Sequence, residues 1–243
     1  MSSTVFLVGA GPGAADLLTL RAARLLGEAG IVFHDALVPQ EILALAPQAE
    51  KVAVGKRCGR HSTAQRFICK RLVDAARKQR VVVRLKGGDP MLFGRAHEEI
   101  AALAAAGIRC EVVPGVTAAL AAAAELGVSL TRRGVARSVV FATSRAGEGE
   151  APSRWAEAVR AADGAVLYMA AGEAERVQRE LLAVGVPPRT PVVVVENASL
   201  AGACARAGAL EALALLAARR AAGPALLLLG GIYAELAAAQ RPA

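Results

Sequence analysis

The sequence predicts two α/β domains, with a mainly parallel sheet in the first. Short apolar runs alternate with longer amphipathic stretches through the first half of the 243-residue chain, a pattern typical of parallel βαβ units. Several of these runs end in glycine and proline, as strands of an open sheet often do. The alternation resumes after "PGVTAALAAAAELG". We therefore predict an N-terminal domain with glycine-rich loops over residues 1–118 and a C-terminal domain over residues 119–243.

The composition is typical of a globular cytoplasmic protein. Hydrophobic residues make up 55% of the chain and aromatic residues only 3%, so alanine and leucine must build most of the core. No uninterrupted apolar run reaches the roughly 18 residues that indicate a membrane helix, and the N-terminus has no leader pattern. The four cysteines lack C-x-x-C spacing and the three histidines are scattered, which predicts reduced thiols and no metal site.

The formal net charge of +8 permits an acidic partner, although a solvated arginine-rich surface would give the same balance. Aromatic residues do not alternate with the arginines, which argues against single-stranded nucleic acid. We expect neither a nucleic-acid partner nor a membrane partner.

The first half contains five predicted strands and three predicted helices. The strands are Val5–Val8, Ile31–Phe33, Val52–Val54, Val81–Leu85 and Cys110–Val113. The helices lie within residues 15–30, 62–79 and 95–107.

The second half contains four predicted strands, again separated by helices. The strands are "SVVFAT", "AVLYMA", "PVVVVE" and "ALLLLG", and the helices span residues 152–162, 173–184 and 210–220.

The first glycine loop, "GAGPG", follows a strand and precedes a helix. Asp35 ends the next strand, 35 − 13 = 22 residues after Gly13, which matches a dinucleotide-binding fingerprint. Pro12, however, removes an N–H from a loop that would have to donate N–H groups to phosphate. The loop alone leaves open a dinucleotide site and a turn without a ligand.

Two further loops end their strands in the same way. In "RLKGGDPMLFGR", Gly87 and Gly88 allow a ligand close to the backbone, and Asp89 supplies an acceptor suited to a ribose or a cation. In "VVPGVTAA", Thr117 can cap the following helix. Because such loops share the carboxyl edge of a parallel sheet, together they predict a nucleoside-type pocket.

In this order, the motifs "VGAGPGAADLLTLRA", "VFHDALVP", "VGKR", "RLKGGDPMLFGR", "VVPGVTAA" and "LYMA" closely resemble the tetrapyrrole methylase family, and within it the branch that methylates uroporphyrinogen III. The resemblance covers nearly the whole chain. It implies a homodimer of two-domain subunits that bind S-adenosylmethionine in a cleft between the domains and release S-adenosylhomocysteine.

The resemblance also implies site residues. The family's acid–base pair falls on Asp35 and Lys56. Its cofactor contacts fall on Pro12, Gly87, Gly88, Asp89, Leu92, Thr117, Ala118, Met169, Ala198 and Ala225. An octacarboxylate substrate would suit arginines, and our candidates are Arg57, Arg60, Arg132, Arg133 and Arg137.

The expected reaction is the conversion of uroporphyrinogen III to precorrin-2 by two successive methylations, in either siroheme or cobalamin biosynthesis. Segments such as "GVSLTRR" and "FATSRAG" depart from the family pattern and leave open a methyltransferase of a later corrinoid. Further alternatives are the ribosomal-RNA methyltransferase branch and, from other classes, a nicotinamide or flavin oxidoreductase and, as the least favoured, a non-catalytic binding module.

Overall fold

The computed structural model describes residues 3–54, 65–146, 151, 153–219 and 223–239. The chain divides into two compact units, Met1–Ala118 and Ala119–Ala243. Each unit is built around its own five-stranded sheet.

The first unit is a parallel sheet with helices on both faces. Its strands are β1 (Thr4–Gly9), β2 (Ile31–His34), β3 (Glu50–Ala53), β4 (Val81–Lys86) and β5 (Arg109–Val113). Its helices are α1 (Leu20–Glu28), α2 (Gln40–Leu43), α3 (Gln65–Ala76) and α4 (Ala96–Ala105). The strand order is β3-β2-β4-β1-β5 and every neighbouring pair is parallel, which confirms the predicted class.

Strand β4 lies at the centre of this sheet and is covered on both faces. Val83 and Leu85 pack with residues of α1 and α2, whereas Val82 packs with residues of α3 and α4. A strand buried on both faces appears in sequence as a continuous apolar run, which is why "VVVRL" is easily recognised.

The second unit has a mixed sheet of order β6-β7-β10-β8-β9. Its strands are β6 (Val139–Thr143), β7 (Gly164–Tyr168), β8 (Pro191–Glu196), β9 (Cys204–Ala209) and β10 (Ala225–Gly230). Its helices are α5 (Ala118–Leu126), α6 (Trp155–Ala161), α7 (Ala174–Ala183), α8 (Leu213–Ala218) and α9 (Ala234–Ala239). β6 and β7 are parallel, while β10 is antiparallel to β7 and β8, and β9 is antiparallel to β8.

Several elements differ from the sequence expectation. Strand β9 and the short helices α2 and α9 are not predicted. The helix expected within residues 15–30 begins only at Leu20. Its start is set by Thr19, whose Oγ1 accepts a hydrogen bond from Ala22 N at 3.1 Å.

Candidate functional site

Three loops leave the carboxyl edge of the first sheet and are joined through their backbones. Because β4, β1 and β5 are parallel neighbours, the loops after them meet at this edge. Gly11 N donates to Gly88 O at 3.2 Å, and Gly88 N donates to Gly11 O at 2.7 Å. A Cβ on Gly115 would lie 2.4 Å from Gly88 O and 2.8 Å from Gly9 Cα, so only glycine fits there. The glycines therefore pack the three loops against one another.

Three consecutive residues of the first glycine loop have no free N–H group for a pyrophosphate. Ala10 N donates to Lys86 O at 2.7 Å, and Gly11 N is used by Gly88. Pro12 has no N–H to offer. Residues 10–12 therefore offer no N–H group to a phosphate, because two of the donors are paired within the sheet edge and the third is missing.

The helix after this loop is also misplaced for a dinucleotide. A dinucleotide-binding helix begins at the glycine turn, so that its free N–H groups face the phosphates. Here α1 begins at Leu20, seven residues after Gly13, and Thr19 caps its first turn. The dinucleotide interpretation of this loop does not fit the structure.

Asp89 holds two of the loops in position. Its Oδ1 accepts a hydrogen bond from Met91 N at 2.8 Å, and its Oδ2 accepts one from Gly115 N at 2.9 Å. The first bond closes the turn after β4, and the second joins that turn to the loop after β5. Each carboxylate oxygen keeps a further lone pair for a ligand donor. The cofactor contact of Asp89 stays a prediction, and its contacts to the protein backbone are an addition to it.

The backbone at Gly87 is open. Gly87 is exposed, and a Cβ built on it would meet no atom within 4 Å. Gly88, by contrast, has a φ of +66°, and its own Cβ would approach Thr117 Cα at 4.0 Å. Seven of the predicted cofactor residues lie on these loops or directly after them: Pro12, Gly87, Gly88, Asp89, Leu92, Thr117 and Ala118.

The end of the second loop is tightly folded. Phe93 and Arg95 have φ values of 52° and 53°, a left-handed conformation that is uncommon outside glycine. A Cβ on Gly94, which lies between them, would be 2.4 Å from Pro90 O and 3.1 Å from Lys86 Cε. Strained backbone of this kind often occurs at functional sites, and here it packs the loop against the side chain of Lys86.

Asp35 lies at the same edge as the glycine loops. It directly follows β2, the other neighbour of β4, and its backbone N donates to Leu85 O at 3.2 Å. Its side chain is 32% exposed, and Oδ1 lies 2.5 Å from the NH2 atom of Arg84. A catalytic carboxylate could therefore reach a ligand at this edge while remaining paired from behind.

Behind Asp35 lies a buried charge cluster, formed by Arg84, Lys86 and Glu99, that sequence analysis misses. Arg84 Nε is 3.1 Å from Glu99 Oε1, and Lys86 Nζ is 3.2 Å from both Glu99 oxygens. Gln65 of α3 adds a hydrogen bond to Glu99 Oε1 at 3.0 Å. Arg84 and Lys86 are two residues apart in β4 and point to one face, the face covered by α3 and α4. The feature of the sequence that could have revealed this cluster is the presence of two cations at alternate positions of an otherwise apolar strand.

The two cations of the cluster differ in how firmly they hold their protons. Burial lowers the pKa of the Arg84 guanidinium, but the carboxylates of Asp35 and Glu99 outweigh burial, so the net pKa is raised. Burial, followed by the positive charge of Arg84, lowers the pKa of the Lys86 ammonium despite its contact with Glu99. Arg84 is therefore the permanent cation of the cluster, and Lys86 is the member that loses its proton more easily.

Three of the predicted residues lie outside the described residues. These are the catalytic candidate Lys56 and the substrate-binding candidates Arg57 and Arg60. Their roles stay predictions.

The other three candidate arginines precede β6 and are exposed: Arg132, Arg133 and Arg137. Arg132 NH1 lies 3.5 Å from Glu235 Oε1, and the backbone N of Arg137 donates to Asp163 Oδ2 at 2.8 Å. They stand at the amino end of β6, whereas Met169 follows the carboxyl end of its parallel neighbour β7. The structure therefore places them at the opposite edge of the second sheet from the predicted cofactor residues.

Met169, Ala198 and Ala225 share one edge of the second sheet. Because β10 is antiparallel to its neighbours, its amino end meets the carboxyl ends of β7 and β8. Ala225 pairs with Glu196, the last residue of β8, and β10 also pairs with β7, which ends just before Met169. Three residues that are far apart in sequence thus meet at one edge.

The backbone at this edge is strained as well. Met169, Asn197 and Ser199 have φ values of 58°, 52° and 68°, and the last two flank Ala198. Met169 is 41% exposed. Left-handed residues at the ends of two strands indicate a shaped surface rather than ordinary connections.

Two negative findings apply to the residues that the structure describes. No three His, Cys, Asp or Glu side chains among them are grouped so as to hold a metal ion. Within those same residues, no helix has the length and apolarity needed to cross a membrane.

Comparison with known families gives one matching model. The model described as "Tetrapyrrole (Corrin/Porphyrin) Methylases" matches residues 4–214, which include the whole first sheet and strands β6 to β9 of the second sheet, but not β10.

Similar proteins carry two kinds of name. A siroheme synthase of Nitrosococcus oceani is 42% identical over 232 residues, 95% of this chain and 50% of that protein. A uroporphyrinogen-III C-methyltransferase of Pseudomonas aeruginosa is 46% identical over 200 residues, 82% of this chain and 81% of that protein. The chain thus spans about half the length of the siroheme synthases that it matches.

Similar solved structures cover nearly the whole chain. The uroporphyrin-III C-methyl transferase of Thermus thermophilus, complexed with S-adenyl homocysteine, has 41% sequence identity and a TM-score of 0.84. The match covers 96% of this chain and 100% of that one. A cobalt precorrin-4 methyltransferase is more distant, with 27% identity and a TM-score of 0.81 over 94% of this chain and 95% of that one.

Proposed function

The chain belongs to the tetrapyrrole (corrin/porphyrin) methylase family, and on that basis we propose that it is an S-adenosylmethionine-dependent C-methyltransferase. Its substrate is uroporphyrinogen III, which it converts to precorrin-2 by two successive methylations. The observation that carries this proposal is the likeness, over 96% of this chain and 100% of the other, to a structure named for a uroporphyrin-III C-methyl transferase. Precorrin-2 is a precursor in both siroheme and cobalamin synthesis, and the proposal covers both pathways.

The carboxyl edge of the first sheet is where we propose that the cofactor binds. The proposed contacts at this edge are Pro12, Gly87, Gly88, Asp89, Leu92, Thr117 and Ala118, and the family resemblance adds Met169, Ala198 and Ala225 as further contacts. The fit rests on the open backbone at Gly87 and on the free lone pairs of Asp89. When bound, S-adenosylmethionine supplies a methyl group made electrophilic by its sulfonium.

The chain's own contribution is positioning and proton transfer. Holding two reactants in line can supply about 7–11 kcal/mol of the barrier reduction. Asp35 accepts the proton that the methylated macrocycle releases, and Lys56 is the proposed donor. Asp35 suits this role because its carboxylate is partly exposed at the edge and has a buried counter-charge.

Two competing substrates can be separated from the proposed one by experiment. Purified protein should methylate uroporphyrinogen III with S-adenosylmethionine, and mass spectrometry should show first one and then two added methyl groups. A protein that leaves uroporphyrinogen III unchanged but methylates a later corrinoid, or ribosomal RNA, would contradict the proposal. The paired backbone donors of the first glycine loop count against the oxidoreductase alternative.

The cofactor site has its own test. Asp89→Ala removes a hydrogen-bonded charge, which is worth roughly 1.5–3 kcal/mol, so S-adenosylhomocysteine should bind ~10- to 150-fold more weakly in calorimetry. Asp74→Ala is the matched control, because it removes an exposed carboxylate of the same unit near the end of α3. Equal affinities in the wild type, Asp89→Ala and Asp74→Ala would show that Asp89 does not contribute to cofactor binding.

We also propose that the enzyme is a cytoplasmic homodimer. The reduced-thiol cysteine pattern supports the location, and the family resemblance supports the dimer. Exposed leucines agree with a subunit contact, with Leu20 at 92%, Leu215 at 59% and Leu120 at 53% exposure. Sedimentation equilibrium at micromolar concentration should give twice the 24.8 kDa chain mass, and a single 24.8 kDa species would contradict the dimer.

A further inference from the structure

We propose that Arg84 is a positioning residue, which holds Asp35 for the reaction and is itself fixed by Glu99. This inference rests on the proposed function. Arg84 and Glu99 are 3% and 0% exposed, so neither can touch a substrate in this arrangement. They act through Asp35, which is 32% exposed at the sheet edge.

The contacts of Arg84 are distributed so that its guanidinium cannot turn. NH2 lies 2.5 Å from Asp35 Oδ1, Nε lies 3.1 Å from Glu99 Oε1, and NH1 donates to Leu85 O at 3.1 Å. A planar fork held at three points has one orientation. Glu99 of α4 therefore fixes the orientation of Arg84, and Arg84 in turn fixes the position of the Asp35 carboxylate.

Asp35 needs such support because of its place in the fold. It is the first residue after β2, and a partly exposed carboxylate there could adopt several rotamers. The backbone bond from Asp35 N to Leu85 O fixes its main chain, but not its side chain. A displacement of about 1 Å in a reacting group can cost about 10²-fold in rate.

Stability alone is a poor reason for this arrangement. Buried ion pairs are often no better than apolar side chains of the same size, because desolvation offsets their attraction. Yet Arg84 and Lys86 stand in the central strand of the sheet, at alternate positions between Val82 and the glycine loop. The buried charge cluster lies directly behind the one part of the strand that borders the proposed site.

Arg84→Lys tests the inference because it keeps the charge but loses the fork. One ammonium cannot reach both Asp35 and Glu99, so we expect kcat to fall by about 10²-fold. The affinity for S-adenosylhomocysteine should stay within about two-fold of the wild-type value, since Arg84 is not expected to face the cofactor.

The second sheet offers a matched control. Arg206 also pairs with a fully buried glutamate, Glu196, but it lies in β9 of the other unit. Arg206→Lys makes the same chemical change at a comparable partner, and it should leave kcat within about three-fold of wild type. An equal loss of kcat in both variants would mean that the loss in Arg84→Lys results from general destabilisation and not from the position of Asp35.

A double-mutant cycle decides whether Arg84 acts through Asp35. Asp35→Asn alone should lower kcat by roughly 10²–10⁴, the scale of general-base assistance. If Arg84 only positions Asp35, then adding Arg84→Lys to Asp35→Asn should lower kcat by less than about three-fold more. Additive losses would overturn the inference while leaving the proposed function intact.

A measurement that does not depend on catalysis distinguishes the positioning role of Arg84 from the proposed methyltransferase function. Crystal structures of the wild-type and Arg84→Lys proteins should show the Asp35 side chain ordered in the first and displaced in the second. If wild-type protein does not methylate uroporphyrinogen III, the proposed function fails on that result alone. An unmoved Asp35 in the Arg84→Lys crystal would overturn the positioning role whether or not the enzyme is active.

Discussion

The two sheets of this protein build a site edge in different ways. In the first, all five strands are parallel, so the loops after β1, β2, β4 and β5 meet because they leave the same edge. In the second, β10 runs against β7 and β8, so Ala225 reaches the edge from the amino end of its strand. A parallel sheet collects loop residues from one kind of strand end, whereas a mixed sheet combines both kinds.

The difference extends to the chemistry of the two edges. The first has the carboxylates of Asp35 and Asp89 and, behind them, the buried charge cluster. The predicted residues of the second are an exposed methionine with a left-handed backbone, an alanine flanked by two left-handed residues, and Ala225 at the start of β10. The proposed proton transfer and polar contacts therefore fall at the first edge, while the predicted residues of the second edge are suited to shaping a surface.

The largest expected contrast is between two fully buried glutamates. Glu99→Gln leaves Arg84 and Lys86 short of one negative charge in a closed environment, and should destabilise the first unit by about 3–5 kcal/mol. Glu196→Gln removes the charge that pairs with Arg206, and because Arg206 is 26% exposed and can turn to solvent, a loss of about 1.5–3 kcal/mol is expected. Hydrogen exchange followed separately in each unit measures both losses.

A charge-balancing variant sharpens this contrast. If the penalty of Glu99→Gln comes from excess positive charge, then Lys86→Met in the same chain should recover part of it, since the pKa of Lys86 is already lowered by burial. Equal effects of the two glutamate substitutions would mean that the two sheets bury charge in the same way, and no recovery with Lys86→Met would rule out excess positive charge as the cause of the penalty.

A smaller contrast is expected between two glycines of the first edge. Gly115→Ala places a methyl group 2.4 Å from Gly88 O, so the loops must separate, at a cost of about 1–3 kcal/mol in stability. Gly87→Ala places the same group in open space and should leave the melting temperature unchanged. It should nevertheless weaken S-adenosylhomocysteine binding, because the methyl group occupies the proposed ligand side. Thermal unfolding and calorimetry on both variants separate packing from binding, and a stable Gly115→Ala protein would refute the packing role.

Much of the fold could be predicted from local pattern. Nine of the ten strands that the described residues form were predictable from their apolar runs. Strand β9 was not, because "CARAGA" is rich in alanine and glycine, which have little preference for strands. It is a strand because it pairs with β8 over its whole length. That information lies in the tertiary structure and not in the segment.

The candidate site likewise has one part that is predictable from local sequence and another that depends on long-range contacts. The glycine loops and Asp35 could be found because each motif is contiguous, and parallel strands bring their ends together by rule. The buried charge cluster could not, because Arg84 is 49 residues from Asp35 and 15 from Glu99. The loss of phosphate donors at Gly11 also depends on a distant partner, Gly88. Long-range pairing decided what each residue contacts.

The smallest expected effect concerns one exposed carboxylate in each unit. In the second unit, the backbone N–H of Arg137, then the N–H and the hydroxyl of Ser138, lower the pKa of the Asp163 carboxyl. In the first unit, a hydrogen bond from Lys70 lowers the pKa of Asp74. A carboxyl group whose pKa is lower in the folded state stabilises the fold above its unfolded pKa of about 3.9, and this stabilisation disappears as the pH falls through the folded value.

Asp163→Asn and Asp74→Asn should therefore both lower the free energy of unfolding at pH 7, and both differences from wild type should shrink below pH ~3.9. Salt should separate them, because a surface ion pair is largely screened at 1 M whereas a backbone N–H bond is not. Denaturant unfolding at pH 7 and pH 2.5, with and without 1 M NaCl, measures this. We expect the effect of Asp163→Asn to survive in salt and that of Asp74→Asn to vanish. If both effects vanished, Asp163 would be held by the charge of nearby arginines rather than by the backbone before β6.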